Sequence, residues 1–292
     1  MKPEILLILG CFIAFAAGEA IRTGFFKKKG EKPDDAKVEI ISMFALVAFT
    51  QPAVLFGSTW LTSTLAPGTE NMLIGLPIIA QVLLLIVFDD MTQYWWHRAS
   101  HTFPWLYNLH RSHHNSEYLS IRVVYRNNLF YYAMMPGLWL SGALIYMGLG
   151  YVYAFYLVIK MLVISGAHSD VRWDGPLYKI KWLSPIMWIV ERTISTPATH
   201  SAHHGRHKDD GVANYKGNFG NLLFFWDVLF GTAKITRQVP KEFGVENLEP
   251  VTLGEQLAWT VFQATGSRSA VTPNSAAAAS HQVRGGWHTS TA

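Results

Sequence analysis

Histidine is the residue type whose spacing in this chain points to chemistry. The stretch from Asp90 to His114 reads D-M-T-Q-Y-W-W-H-R-A-S-H-T-F-P-W-L-Y-N-L-H-R-S-H-H. It holds His97 and His101 as H-x-x-x-H, then His110, His113 and His114 as H-x-x-H-H. Residues three and four apart share one face of a helix. His97 and His101 therefore point the same way, and Asp90 and Tyr94 join their stripe. A later segment, T-H-S-A-H-H-G-R-H, repeats H-x-x-H-H as His200, His203 and His204 and adds His207. Neutral imidazole is a common metal ligand. A lone histidine on an apolar face is usually a core residue, and one H-x-x-x-H is a weak signal. Three boxes in one chain point to metal binding.

The elements that must position these boxes are membrane helices. The chain has 292 residues, of which 50% are hydrophobic and 15% charged, with 11 Trp, 12 Tyr and 17 Phe. Its mean hydropathy is +0.16. That balance predicts an integral membrane protein. Lys and Arg total 24 against 20 acidic residues, without a dense basic motif, so no nucleic-acid partner is expected. One cysteine, Cys11, excludes both an intramolecular disulfide and a cysteine-based zinc site.

Along the chain, Ile5 to Ala17 is apolar and is followed by Gly18, Glu19 and Ala20, as in a cleaved signal peptide. Six basic residues between Arg22 and Lys37 favour an uncleaved first span with its N-terminus outside. A second apolar run, about 40–61, contains Gln51 and Pro52, and the proline predicts a kink. The connection 62–71 lacks Lys and Arg, as an outside loop should. A third run, 72–88, leads directly into the first box. A long apolar region from Asn127 to His168 predicts a hairpin turning near Gly148, Gly150 and Tyr151. Five spans then put every box on the cytoplasmic side. Lys160, inside the second arm, snorkels or meets a partner or cavity. Residues 183–194 suit an interfacial helix, and 221–230 is too short to span. The expected organisation is N-terminal transmembrane helices over 1–84, a catalytic unit over 85–232 with a hairpin at about 127–168, a cytoplasmic segment 233–265 and a disordered tail 266–292. His281 and His288 lie in that tail and are excluded as ligands. The fold class is all-α: a membrane helical bundle with a cytoplasmic, histidine-rich di-metal cap.

With these residues in place, the chain resembles the fatty acid hydroxylase and sterol desaturase superfamily of membrane di-iron enzymes. D-x-x-x-Y-x-x-H-R-x-x-H appears as Asp90, Tyr94, His97, Arg98 and His101. The two H-x-x-H-H boxes follow, with a middle histidine at His168 in G-A-H-S-D. The closing motif N-[YF]-G-x5-W-D-x-L-F-G-T appears as Asn218, Phe219, Gly220, Trp226, Asp227, Leu229, Phe230, Gly231 and Thr232. Asn214 and Tyr215 have the wrong distance to Trp226 for that motif. Some members carry another histidine where this chain has Ile164, so either one ligand is missing or His207 substitutes. The segment T-P-A-T-H-S-A-H-H-G also resembles alkylglycerol monooxygenases, which are pterin-dependent.

The resemblance implies two iron ions, with zinc a possible substitute in purified protein. It implies O2-dependent hydroxylation of a lipid C–H bond on a fatty acyl chain, sterol or related lipid. Desaturation and ether-lipid or carotenoid oxygenation are alternatives within that class. No haem-binding domain is visible, so electrons must come from an external donor: a reductase, cytochrome, ferredoxin or pterin. The ligand set is His97, His101, His110, His113, His114, His168, His200, His203 and His204, with His207 a candidate tenth. Asp90 is expected to accept a ligand N–H, or else to be a solvated helix-end charge. Tyr94 either packs or takes part in catalysis, and Asp227 braces the last box. Two rivals from other classes are a zinc-dependent membrane hydrolase, which needs fewer histidines, and a metal transporter, which carries ligands mid-membrane.

Overall fold

The computed structural model describes residues 3–246 and 251–262. The proposed tail, with His281 and His288, lies outside the described residues. Helices dominate the rest, and no named strand forms among the described residues. Four helical segments are long and apolar enough to cross a membrane. They are α1 (Pro3–Arg22), α2 (Asp35–Leu65), α3 (Ile78–Ser100) and the run Pro136–His168.

The last run is not one straight helix. It divides into α5 (Pro136–Leu144) and α6 (Gly150–His168), joined by a turn in which Gly148 has φ 110°. A side chain at Gly148 would also press on Asn71 and Ile74, so glycine alone fits the turn. The first box helix is α3, which runs through His97, and α4 (Pro104–His114) carries the second box.

Pro52 has the effect its chemistry demands. It cannot donate the backbone bond that a regular turn needs, and a wider π turn, Leu46–Thr50, sits just before it. A second π turn, Ile86–Met91, carries Asp89 and Asp90, both almost fully buried. α1 packs on α6, the second half of α2 on α5, and α6 on α3. Leu85, Leu144, Leu149, Val152 and Tyr156 form the apolar core between α3 and the two arms.

α1 is built into the fold at its C-terminal end. Glu19 is fully buried, pairs with Lys28 at 2.9 Å, and accepts from Ser120, Ser169 and the backbone of Ile121 and Asp170. The basic stretch after α1 is thus more than a topology signal. Lys32 likewise bonds Asn115, next to the second box. Arg126, fully buried, ties α2 to α4 through Asp35 at 2.7 Å and the Ser112 carbonyl at 2.7 Å.

On the same side as the boxes lie α7 (Ser184–Thr193), α8 (Pro197–His203), α9 (Phe225–Leu229) and α10 (Leu253–Ala258). α7 exposes Ile186, Trp188 and Ile189 while burying Met187 and Glu191, the pattern of an interfacial helix. α8 begins with a capping box between Thr196 and Thr199. It packs on α6, bringing the third box to the end of that arm.

Candidate metal centre

Nine histidines converge into two adjacent groups. His97, His101, His110, His114 and His203 form one; His113, His168, His200 and His204 form the other. Within each group the candidate ligand atoms all lie within 4.8 Å of one another. The rings of His114 and His204 stack at 4.5 Å, so the groups share a wall. α3, α4, α6 and α8 contribute the histidines, together with the residues just after α3 and α8. All nine rings are buried. Burial pushes His101, His110, His113, His114, His200, His203 and His204 well below the usual histidine range, so they are neutral and can act as ligands.

The Nδ1 partners fix which nitrogen is available. Nδ1 of His97 donates to the Phe219 carbonyl at 2.7 Å and Nδ1 of His203 to the Gly217 carbonyl at 2.8 Å. Nδ1 of His113 donates to the Val123 carbonyl at 3.0 Å and Nδ1 of His168 to the Ile164 carbonyl at 2.8 Å. Nδ1 of His110 meets Asn127 Oδ1 at 2.8 Å. A carbonyl only accepts, so in a neutral ring Nε2 carries a lone pair.

Where both rings are so committed, the lone pairs face one another: His97 Nε2 lies 3.0 Å from His203 Nε2. His168 Nε2 lies 2.9 Å from His200 Nε2. His110 and His114 approach at 3.2 Å, as do His200 and His204. Two acceptors at that distance repel unless a cation lies between them. Metal–imidazole bonds of about 2.0–2.1 Å place neighbouring ligand nitrogens about 2.9–3.4 Å apart, the separation observed. Among the described residues, Nε2 of His101 is buried without a hydrogen-bond partner, as a ligand atom would be. The residues fit a pair of metal ions.

The closing motif supplies the Phe219 carbonyl and, just before it, the chain supplies that of Gly217. Asp227 is fully buried and accepts from the backbone of Phe219 at 2.8 Å and Gly220 at 2.6 Å, and from Thr232 Oγ1. Asn218, in left-handed backbone at φ 56°, donates to the carbonyls of Thr199 and Lys234. A Cβ at Gly217 would lie 2.3 Å from the Thr232 carbonyl oxygen, which leaves no room for a side chain. Asn214 bonds Asn218 Oδ1 at 2.9 Å, so it belongs to this network although it falls outside the motif.

The geometry assigns places to four residues whose roles the sequence left open. Asp90 accepts from Trp226 Nε1 at 2.7 Å and from the Leu223 backbone, rather than from a histidine. Seven residues of helix put it about 10 Å up the axis from His97, and the Phe219 carbonyl is the nearer acceptor. Nor is it a solvated helix-end charge. Tyr94 packs among Phe219, Trp226 and Phe230, its hydroxyl 3.0 Å from Thr232 Oγ1. Lys160 does not snorkel: it is buried and bonds Asp89 Oδ2, which also accepts from Tyr156 at 2.7 Å. His207 lies at the surface between Glu242 at 3.1 Å and Glu246 at 3.3 Å, apart from both groups. Those carboxylates, Glu242 first, raise its pKa. Neither Ile164 nor His207 adds a fifth nitrogen to the second group.

The sequence offered no means of finding the carbonyl partners, since backbone oxygens leave no residue-type signal. Asn127 was findable: one of two adjacent amides at the start of an apolar run, itself held by Tyr132.

The model of the fatty acid hydroxylase family matches residues 82–232, slightly more than half the chain and all nine converging histidines. The chain belongs to the fatty acid hydroxylase family. Like that family's matched region, its box-bearing segment runs from α3 to the end of the closing motif. Among curated proteins, it is 27% identical to the human alkylglycerol monooxygenase over 206 residues, 70% of this chain and 42% of that protein. It is 28% identical to the Danio rerio alkylglycerol monooxygenase over 148 residues, 49% of this chain and 28% of that protein. The chain thus spans less than half the length of these relatives. No solved structure matches it. A member of this family with four long apolar helical segments is an integral membrane protein.

Proposed function

We propose that this chain is an O2-dependent membrane monooxygenase that holds two iron ions and hydroxylates a lipid C–H bond. The observation that carries the reading is the opposition of the Nε2 lone pairs of His97 and His203, with the close approach of His168 Nε2 to His200 Nε2, inside two adjacent all-histidine groups. A hydrolytic zinc site needs about three protein ligands and an open position, commonly with a carboxylate. Here nine imidazoles converge instead.

His97, His101, His110, His114 and His203 would hold one ion, and His113, His168, His200 and His204 the other. Bound iron of this donor set supplies reductive activation of O2. The carbonyls of Phe219, Gly217, Val123 and Ile164 hold each ring by its Nδ1–H, so the ligands keep their orientation as charge changes. The four-histidine group offers one nitrogen donor fewer than the five-histidine group. His97, His110, His113 and His168 also line a cavity reached from the membrane-embedded arms, so an alkyl chain can be presented there while water is excluded. Electrons come from an external donor, and the metal face lies on the cytoplasmic side, where the basic stretch after α1 also falls. A second reading, oxygenation of an ether lipid, is supported by the name of the relatives.

Comparing lipids of cells that express the wild type with those expressing His113→Ala/His203→Ala tests the function. A hydroxylated lipid should appear only with the wild type and only under O2. Identical lipid profiles from both strains would refute the proposal.

A further inference from the structure

Lys160 is a membrane-arm cation whose role the metal ligands do not explain. It borders the same cavity as His97, His110, His113 and His168. Among the described residues its ammonium makes one hydrogen bond, to Asp89 Oδ2, and it sits 5.7 Å from the centre of the Tyr156 ring. An ammonium has three donors, so two remain for a ligand. Gln93, one turn before His97 on α3, lines the cavity too, and its buried Oε1 has no hydrogen-bond partner. An acceptor left unpaired in a buried site is costly, and a ligand hydroxyl would satisfy it.

The cavity adjoins an apolar crevice. Gln51, Leu138, Tyr153 and Leu157 border both spaces. Val54 and Leu55 of α2 close one side of the crevice and Ile145 the other. Gln51 and Val54 come from α2, Leu138 and Ser141 from α5, and Tyr153 and Leu157 from α6, so the crevice lies where these three helices meet. The space is therefore apolar toward the membrane and polar at the end beneath the histidines.

We propose that Lys160 and Gln93 anchor a hydroxyl group at the polar end of a lipid, while its alkyl chain lies in the crevice. This rests on the lipid-oxygenase reading and adds the class of polar group. The unpaired acceptor decides it. A deprotonated carboxylate has no hydrogen to give Gln93 Oε1, and an alkane offers neither donor nor acceptor. A hydroxyl can donate to Gln93 and accept from Lys160 together, leaving the Lys160–Asp89 ion pair intact.

The test is direct binding to the purified full chain in phosphatidylcholine nanodiscs. Tritiated 1-O-hexadecylglycerol is the probe, with palmitate and hexadecane as competitors. The unlabelled alkylglycerol should compete about tenfold or more better than palmitate or hexadecane, the worth of hydrogen bonds to a charged donor. Gln93→Leu and Asp89→Asn/Lys160→Met should each weaken probe binding about tenfold, with metal content and Tm retained. Equal or better competition by palmitate or hexadecane overturns the anchor, as does wild-type binding by both variants. If the double variant does not fold, Gln93→Leu decides alone. Binding does not need O2, so the two readings fail separately. Selective binding without O2-dependent product contradicts the oxygenase reading, and oxygenation without selective binding contradicts the anchor.

Discussion

His97 and His203 face each other Nε2 to Nε2 at 3.0 Å, each with Nδ1 already committed to a backbone carbonyl. Without a bridging cation this contact is repulsive. His97→Ala or His203→Ala should lower bound metal from about two ions per chain to about one, read by elemental analysis of purified protein. His207→Ala should leave the count unchanged, because His207 pairs with Glu242 and Glu246 at the surface. A full metal complement in His203→Ala would contradict the ligand assignment.

Asp227 acts one step further out. It holds the Phe219–Gly220 backbone whose carbonyl orients His97. Asp227→Ala strands two buried N–H groups and should cost roughly 3 kcal/mol. The accompanying signature is partial metal loss, restored in part by Asp227→Asn, which keeps an acceptor. A variant with lowered Tm but full metal and unchanged ligand spectroscopy would reduce Asp227 to a purely structural brace.

The pair Asp89–Lys160 makes a prediction about additivity. Lys160→Met alone leaves a buried carboxylate with Tyr156 as its remaining partner, and it should destabilise by roughly 3–5 kcal/mol. Adding Asp89→Asn removes the uncompensated charge and should recover much of that loss. Thermal melts of the two single variants and the double variant close the cycle. Additive losses would mean that the two residues are not coupled.

The nine converging histidines, the break near Gly148 and the short 221–230 segment could all be read from the chain, because ligand type, helical spacing and turn chemistry are written in residue identity. Asp90 could not be placed, because its partner depends on where Trp226 returns from 136 positions away. Lys160 was left open for the same reason: a charge in an apolar run says that it needs a solution, and only packing shows that Asp89 and a cavity provide it. The sequence suggested five spans. Four long apolar segments form, the fourth divided at Gly148 into a shorter arm and a longer one. Carbonyl partners such as Phe219 and Val123 leave no trace in a pattern of side chains.

Topology follows from the basic stretch. In a Cys11→Ser background, Lys29→Cys and Glu70→Cys put single thiols on exposed positions at opposite ends of the α2 region. An impermeant maleimide added to intact cells should label Glu70→Cys and spare Lys29→Cys until the membrane is opened. The reverse pattern would put the metal face outside.

The most direct measurement of the central claim is isotopic. Purified, iron-loaded protein with an electron donor and a lipid substrate is run under 18O2 in ordinary water, and the product alcohol is analysed by mass spectrometry. One 18O atom per new hydroxyl is the predicted result. A product carrying oxygen from water only, formed equally well without O2 or with zinc in place of iron, would contradict the account.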